Sequence, residues 1–340
     1  MDWRCQENTF NNLIANDNDS YSYSLKLWRG INFMKKLYAV SLLTLASGAS
    51  VAGENQWLYA KGTDTRPQGS YEFKLSDTIK VGKNSGDYVA HDIRPEIEYG
   101  ITDKLTVSAE LVFFDHNYSL NNSDNDPMFS TQGGAGKRFD KFQFAGYEAA
   151  LKYNILSPYK DVMGLSVGLA FEHRDAYRLD GADIDQDSLT TTFYFQKDFL
   201  DDTLIFVVNP KVELERRKSP DVLEEEISLE LMAAVSYRFM PKWTVGLEYR
   251  SQSDYLSVQE NGEFEEGVQR SSFDLTDFRL GDRYQSGQYI GPTLHYATQR
   301  WWATGGVLFQ FQGGGGFSED GKNFDEHEKY HAGVSFGYEF

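Results

Sequence analysis

From residue 69 onward the chain alternates. In ISLELMAAVSYRF, Ile227, Leu229, Leu231, Ala233, Val235, Tyr237 and Phe239 share one face, with Ser228, Glu230, Ala234, Ser236 and Arg238 on the other. SLTTTFYFQKDF sets Leu189, Phe193, Phe195 and Phe199 against Thr190, Thr192, Gln196 and Asp198. GLSVGLAFEHR repeats the pattern with Leu165, Val167, Leu169 and Phe171. A period of two is that of a strand with one apolar and one polar face.

Read through, the pattern predicts twelve strands near 69–81, 88–99, 104–115, 142–155, 163–176, 187–199, 203–216, 224–239, 243–256, 284–297, 301–312 and 328–340. Connections at one end are short: GITDK, LSPYKD, LDD, MPK and TQR. Those near Asp124, Asp183, Ser219, Glu260 and Gly314 are mostly longer. An even strand number with tight turns at one end and long loops at the other is the pattern of a single up-and-down transmembrane β-barrel, all-β and antiparallel. Pro95 and Pro210 fall inside predicted strands and are read as bulges, because proline cannot donate to a ladder.

Residues 34–52, MKKLYAVSLLTLASGASVA, carry a basic start, a short apolar run and small residues before a cleavage point. This predicts a signal peptide cut near Ala52, with the barrel occupying 53–340. Residues 1–33 are polar and aperiodic, and read as a mis-assigned upstream extension, with an extended leader as the alternative. The expected location is the outer membrane of a Gram-negative cell.

Composition sharpens the assignment. The chain holds 24 Phe, 21 Tyr and 6 Trp, yet only 40% of its residues are hydrophobic and the mean hydropathy is −0.53, which excludes a bundle of apolar helices. Trp301 and Trp302 follow a short turn and are expected in an interfacial belt. Cleavage leaves 28 basic and 47 acidic residues, a poor partner for nucleic acid. The only cysteine, Cys5, precedes the cleavage point, so the exported product has no thiol.

The last strand, EKYHAGVSFGYEF, alternates through Val334, Phe336, Tyr338 and Phe340. It resembles the C-terminal signal by which outer-membrane barrels are read by the barrel assembly machinery. DIRPEIEYGITDKLTVSAEL, LSPYKDVMGLSV, SYRFMPKWTVGLEYRS and YIGPTLHYATQRWWATGGVLFQ together resemble an uncharacterised family of predicted, porin-like outer-membrane barrels of Gram-negative bacteria. The resemblance spans about residues 55–340 and implies fold and location, with outer-membrane lipid and lipopolysaccharide as surroundings. It assigns no reaction, catalytic residue or cofactor.

If the apolar face meets lipid, the polar face turns Asp92, Arg94, Glu96, Glu98, Glu110, Glu148, Lys152, Glu172, Arg174, Lys211, Glu213, Glu215, Glu230, Arg238, Glu248, Arg250, Lys329 and His331 inward. The reverse costs roughly 2–4 kcal/mol for each Lys or Arg at mid-bilayer. Two functions follow from such a lumen. One is a narrow passive channel for small hydrophilic solutes, weakly cation-preferring because acids outnumber bases. The other is a closed structural or surface-interaction barrel whose ion pairs fill the interior.

A third class, an outer-membrane hydrolase, rests on Asp325-Glu326-His327, with Asp124/Asp126 or Asp183/Asp185 as partners. Two G-x-S-x-G matches, at Ser166 and Ser335, lie inside predicted strands, where a nucleophile elbow cannot form. Asp183, Asp185 and Asp187 start like a calcium loop, but Ser188 and Tyr194 stand where Gly and Glu are required. The expectation is a non-enzyme with no cofactor and no dedicated metal site; loop acids bridged by divalent ions to lipopolysaccharide remain an alternative.

Overall fold

Twelve alternating segments with complementary edges can satisfy every backbone group only by closing, and the computed structural model closes them. It describes residues 55–119, 137–218, 223–256, 280, 283–315, 318 and 320–340. The segments expected to be a signal peptide and an upstream extension, and the connections near Asn121 and Glu260, lie outside the described residues.

The strands are β1 (Tyr71–Val81), β2 (Asp87–Thr102), β3 (Leu105–Ser119), β4 (Phe139–Leu156), β5 (Gly164–Ala176), β6 (Asp183–Phe199), β7 (Leu204–Lys218), β8 (Leu223–Met240), β9 (Trp243–Leu256), β10 (Arg283–Ala297), β11 (Trp301–Gly315) and β12 (Tyr330–Glu339). Each pairs antiparallel with its sequence neighbour, and β1 pairs with β12 to close the ring. The sheet therefore has no free edge.

The faces are inverted relative to a water-soluble protein. Among the described residues, 45 polar or charged side chains are buried against 17 hydrophobic ones, while Phe193, Phe206, Leu231, Leu247, Leu294 and Phe309 stand exposed on the outer wall. That wall suits the hydrocarbon layer, and the wet face lines a lumen.

Pro95 and Pro210 do not make bulges. The β1–β2 and β7–β8 registers run straight through Leu75↔Pro95 and Pro210↔Leu231. On the other side, cross-strand pairs are missing beside each proline without any shift in register. A proline whose absent N–H would have pointed to one neighbour costs one ladder bond and leaves the count unchanged. Bulges occur elsewhere, as between Val112 and Phe113 opposite Gly146. Gly146 has φ +147°, and a Cβ there would lie 1.9 Å from the His173 carbonyl oxygen, so only glycine fits.

Trp301 and Trp302 separate. Trp301 is on the outer wall, whereas Trp302 is 1% exposed and packs inward against Gly337 and His295. Adjacent strand residues face opposite ways, so the two cannot both belong to a belt.

Candidate functional site: the lumen

Ahead of β1, residues 55–70 make no strand. They run inside the barrel at the end carrying the short turns, and the wall is shaped to receive them. Glu248 on β9, fully buried, accepts hydrogen bonds from three consecutive backbone amides, Leu58 (2.9 Å), Tyr59 (2.8 Å) and Ala60 (2.6 Å). One carboxylate thus fixes three successive residues of the segment.

Asn209 on β7 brackets Lys61, accepting from its amide and donating to its carbonyl. Gln196 accepts from the Thr63 amide, and Asn154 and Ser166 donate to the Thr63 carbonyl. Trp57 and Ala60 sit on an apolar patch of Val207, Met232 and Ala234. A Cβ on Gly246 would come within 3.0 Å of the Trp57 indole nitrogen, and one on Gly333 within 2.8 Å of Leu58. Both strand glycines leave room for the segment.

Arg66 ends this stretch. It pairs with Glu72 (2.7 Å), Glu339 (2.8 Å) and Glu98 (3.6 Å). Those three glutamates are direct cross-strand neighbours on β12, β1 and β2.

Beyond the segment lies a cavity of about 360 Å³. Asp92, Arg94, Glu96, Glu98, Glu110, Glu148, Lys152, Glu172, Arg174, Lys211, Glu213, Glu215, Glu230, Arg250 and His331 all line it, together with Lys61, Lys74 and Lys80. Glu248 lies under the segment. Arg238 is at the rim, donating to the Asp202 carbonyl in the β6–β7 turn, and Lys329 stacks on Phe324, so neither lines the cavity. Alternation gives the face of a residue and not its height in the barrel, which is why these two differ from expectation.

One wall carries four carboxylates in a row: Glu96, Glu110, Glu148 and Glu172 are successive cross-strand partners from β2 to β5. Like charges directly opposite are destabilising, and most of the row is neutralised. Lys74 pairs with Glu96, Arg94 bridges Glu110 (2.8 Å) and Glu172 (2.9 Å), and Arg174 holds Glu172 (2.5 Å). Glu148 has no ion pair or hydrogen bond of its own among the described residues. Across the lumen, Lys211 and Arg250 converge on Glu230 (3.5 and 2.5 Å).

Two connections fold inward at the opposite end. Residues 177–182 are held by Tyr88 and Tyr118, whose hydroxyls donate to the Leu179 and Asp180 carbonyls, and by Arg178 on Asp254 (3.3 Å). Burial pushes the Asp180 carboxyl up to about 6, against the Ala182 amide that favours its charged form. Residues 323–328 are tied down by Gln310, which accepts from the Asn323 amide, and by Lys83, 3.2 Å from Glu328. Burial of His327 pushes its ring well below the usual histidine range.

This placement removes the described half of the hydrolase constellation. His327 is buried inside, whereas the Asp183 and Asp185 side chains are exposed; Asp124 and Asp126 lie outside the described residues. Ser166 and Ser335 are both in strands. Asp183, Asp185 and Asp187 lie on β6, not in a loop. His173, Asp185 and Asp187 come within 4.8 Å of one another. His173 already pairs with Asp187 (2.9 Å) and Lys218 with Asp185 (3.7 Å). Val334 and Phe340 are exposed on the outer face of the last strand, with Phe336 and Tyr338 alternating between them.

The inward segment was not legible from periodicity, having none. Its only sequence signals are the apolar group Trp57-Leu58-Tyr59-Ala60 just after the expected cleavage point and the wall glycines that receive it.

Comparisons with known proteins agree with this architecture. Residues 49–340 match a family described as "Family of unknown function (DUF6662)". No curated protein matches. The chain is similar to the COG4313 outer membrane channel from Pseudomonas putida F1, at 11% identity over 82% of this chain and 98% of that one, with a TM-score of 0.51. Looser likenesses are the NanC porin (8% identity, 78% and 98% covered, TM-score 0.41) and the KdgM porin in complex with oligogalacturonate (12%, 80% and 99%, 0.40). At such identities the likeness is one of fold.

Proposed function

The chain belongs to the DUF6662 family of unknown function, so its role has to be read from its own lumen, and we propose that it is a narrow passive channel for small hydrophilic solutes in the outer membrane. The observation that carries this reading is the charged cavity. Twelve carboxylates and nine Lys or Arg side chains line it. A lumen meant only to be filled is more cheaply packed with apolar side chains, since buried ion pairs seldom outdo them in stability. Twelve strands enclose a bore between the filled eight-stranded barrel and the open sixteen-stranded porin.

The acid excess gives a weak preference for cations. The interior row of glutamates on β2 to β5 is the element that sets it. Single-channel recording in planar bilayers across a salt gradient tests the reading. Conductance steps with a cation-shifted reversal potential are expected; silence from protein shown to be folded, or anion selectivity, overturns it.

A closed barrel is the second reading, favoured by one observation: structure covers the cavity at both ends. On that reading the external loops carry the function, and the same recordings give silence.

A further inference from the structure

Residues 55–66 are bonded to the wall along their whole length. Thr304 on β11 donates to the Asn55 carbonyl (2.6 Å), and Ser236 on β8 donates to the Gln56 side chain (2.6 Å). Glu248 on β9, Asn209 on β7, and Gln196, Ser166 and Asn154 on β6, β5 and β4 take up the residues that follow. Thr106 on β3 accepts from the Arg66 amide (2.7 Å), and the Arg66 guanidinium finishes on β12, β1 and β2. A segment held at so many points is a fixed part of the bore, and its side chains are lining as much as those of the strands.

One of them differs from every other base in the cavity. Of the nine Lys and Arg side chains that line it, six are closed in the ion pairs described above. Lys80 lies 4.0 Å from Asp92, and Lys152 donates to the Gly62 carbonyl at 2.8 Å. The ninth is Lys61. Its amide and carbonyl are both bonded to Asn209 (2.7 and 3.1 Å), but among the described residues its ammonium makes no hydrogen bond or ion pair.

From its anchor on β7 the Lys61 side chain enters the cavity shared with the carboxylates of β2 and β3 across the barrel. Burial works against its charge, and Glu96, Tyr194, Glu98 and Glu110 outweigh that, holding the ammonium well above the ordinary lysine range. A base closed on a carboxylate presents little net field to a passing ion, because the partner cancels it at short range. An open ammonium in a narrow, low-dielectric bore is felt by each ion that passes.

We propose that Lys61 is the specificity-determining charge of the lumen, an open ammonium supplied by residues 55–66 and not by the wall, which opposes the entry of cations and keeps the preference of the acid-lined bore for them weak. The proposal rests on the channel reading and names the residue that tunes it. The wall supplies the acid excess, and the segment supplies its counterweight.

The test uses the chain from Gly53, refolded, which holds no cysteine of its own. Lys61→Cys is recorded in planar bilayers across a potassium chloride gradient, before and after reaction with a cationic trimethylammonium or an anionic sulfonate thiol reagent, with labelling verified by mass. Loss of the ammonium is expected to raise the potassium-to-chloride permeability ratio by about two-fold or more. The cationic label is expected to restore the wild-type ratio, and the anionic label to raise it further. Charge balance within the fold alone would not make selectivity follow the sign of a label added after folding.

A conducting variant whose ratio is the same in all three states, or one that neither reagent reaches, overturns the proposal and leaves the channel. Silence from wild type shown folded by heat-modifiable gel mobility overturns the channel reading and the proposal with it. Lys61→Met, which keeps the aliphatic stem, is read alongside, with the same rise in ratio expected. If neither variant folds, the ammonium serves the wall and not the passing ion, and the proposal is overturned.

Discussion

Arg66 lies 2.7 Å from Glu72, a carboxylate with no exposure to solvent, and the same guanidinium spans to Glu339 on the neighbouring strand. Glu72, Glu98 and Glu339 face one another across the β12–β1–β2 junction, and the residue that reconciles them comes from outside the sheet. Arg66→Gln leaves three buried acids in mutual repulsion. Removing one partner of a buried pair costs roughly 3–5 kcal/mol, and urea unfolding followed by tryptophan fluorescence is expected to show a loss of that order.

Glu248→Ala acts on the segment and not on the sheet. It deletes the acceptor shared by Leu58, Tyr59 and Ala60. The expected outcome is a folded barrel whose residues 55–66 become cleavable by a protease that leaves the wild-type chain intact. Resistance equal to wild type would mean that the remaining contacts hold the segment unaided.

Glu148→Gln replaces a carboxyl flanked by two others, Glu110 and Glu172. Stability is expected to stay level or rise by up to about 1 kcal/mol, and the reversal potential in a salt gradient to move toward zero. An unchanged potential would place the selectivity elsewhere in the lumen.

Asp180 gives the connection between β5 and β6 a dependence on pH. Its carboxyl is held up to about 6 by burial, above the value of about 3.9 expected when unfolded. Its contribution is present in full below the unfolded value and is lost as pH rises through 6, because the fold must then bury a charge. Local opening of residues 177–182, followed by hydrogen exchange, should become easier by up to about 3 kcal/mol between pH 4 and pH 7. In Asp180→Asn that slope is expected to flatten.

The wall of this protein was legible in its sequence, and the contents of its lumen were not. Alternation alone placed every strand within a few residues, because a two-residue period is imposed by the backbone and reinforced at each position by lipid on one side and water on the other. It also put Glu96, Glu110, Glu148 and Glu172 on one face, although not in one row: register depends on turns and on bulges such as that at Gly146, which leave little trace in composition. The prolines misled for a related reason, since a missing donor matters only on the side to which it points. Residues 55–66 escaped altogether. Their partners, such as Glu248 and His331, are about 190 and 270 positions away, and no local rule connects them.

The three glutamates around Arg66 also impose an order on assembly. Glu72 and Glu98 already face each other in the β1–β2 hairpin, but Glu339 joins them only when β12 docks against β1. Closure adds the third acid and completes the binding place for Arg66 in the same event, so the inward segment has its strongest reason to seat last. A barrel that has joined its ends without admitting this segment is left with three acids and no counter-charge along the line where its first and last strands meet.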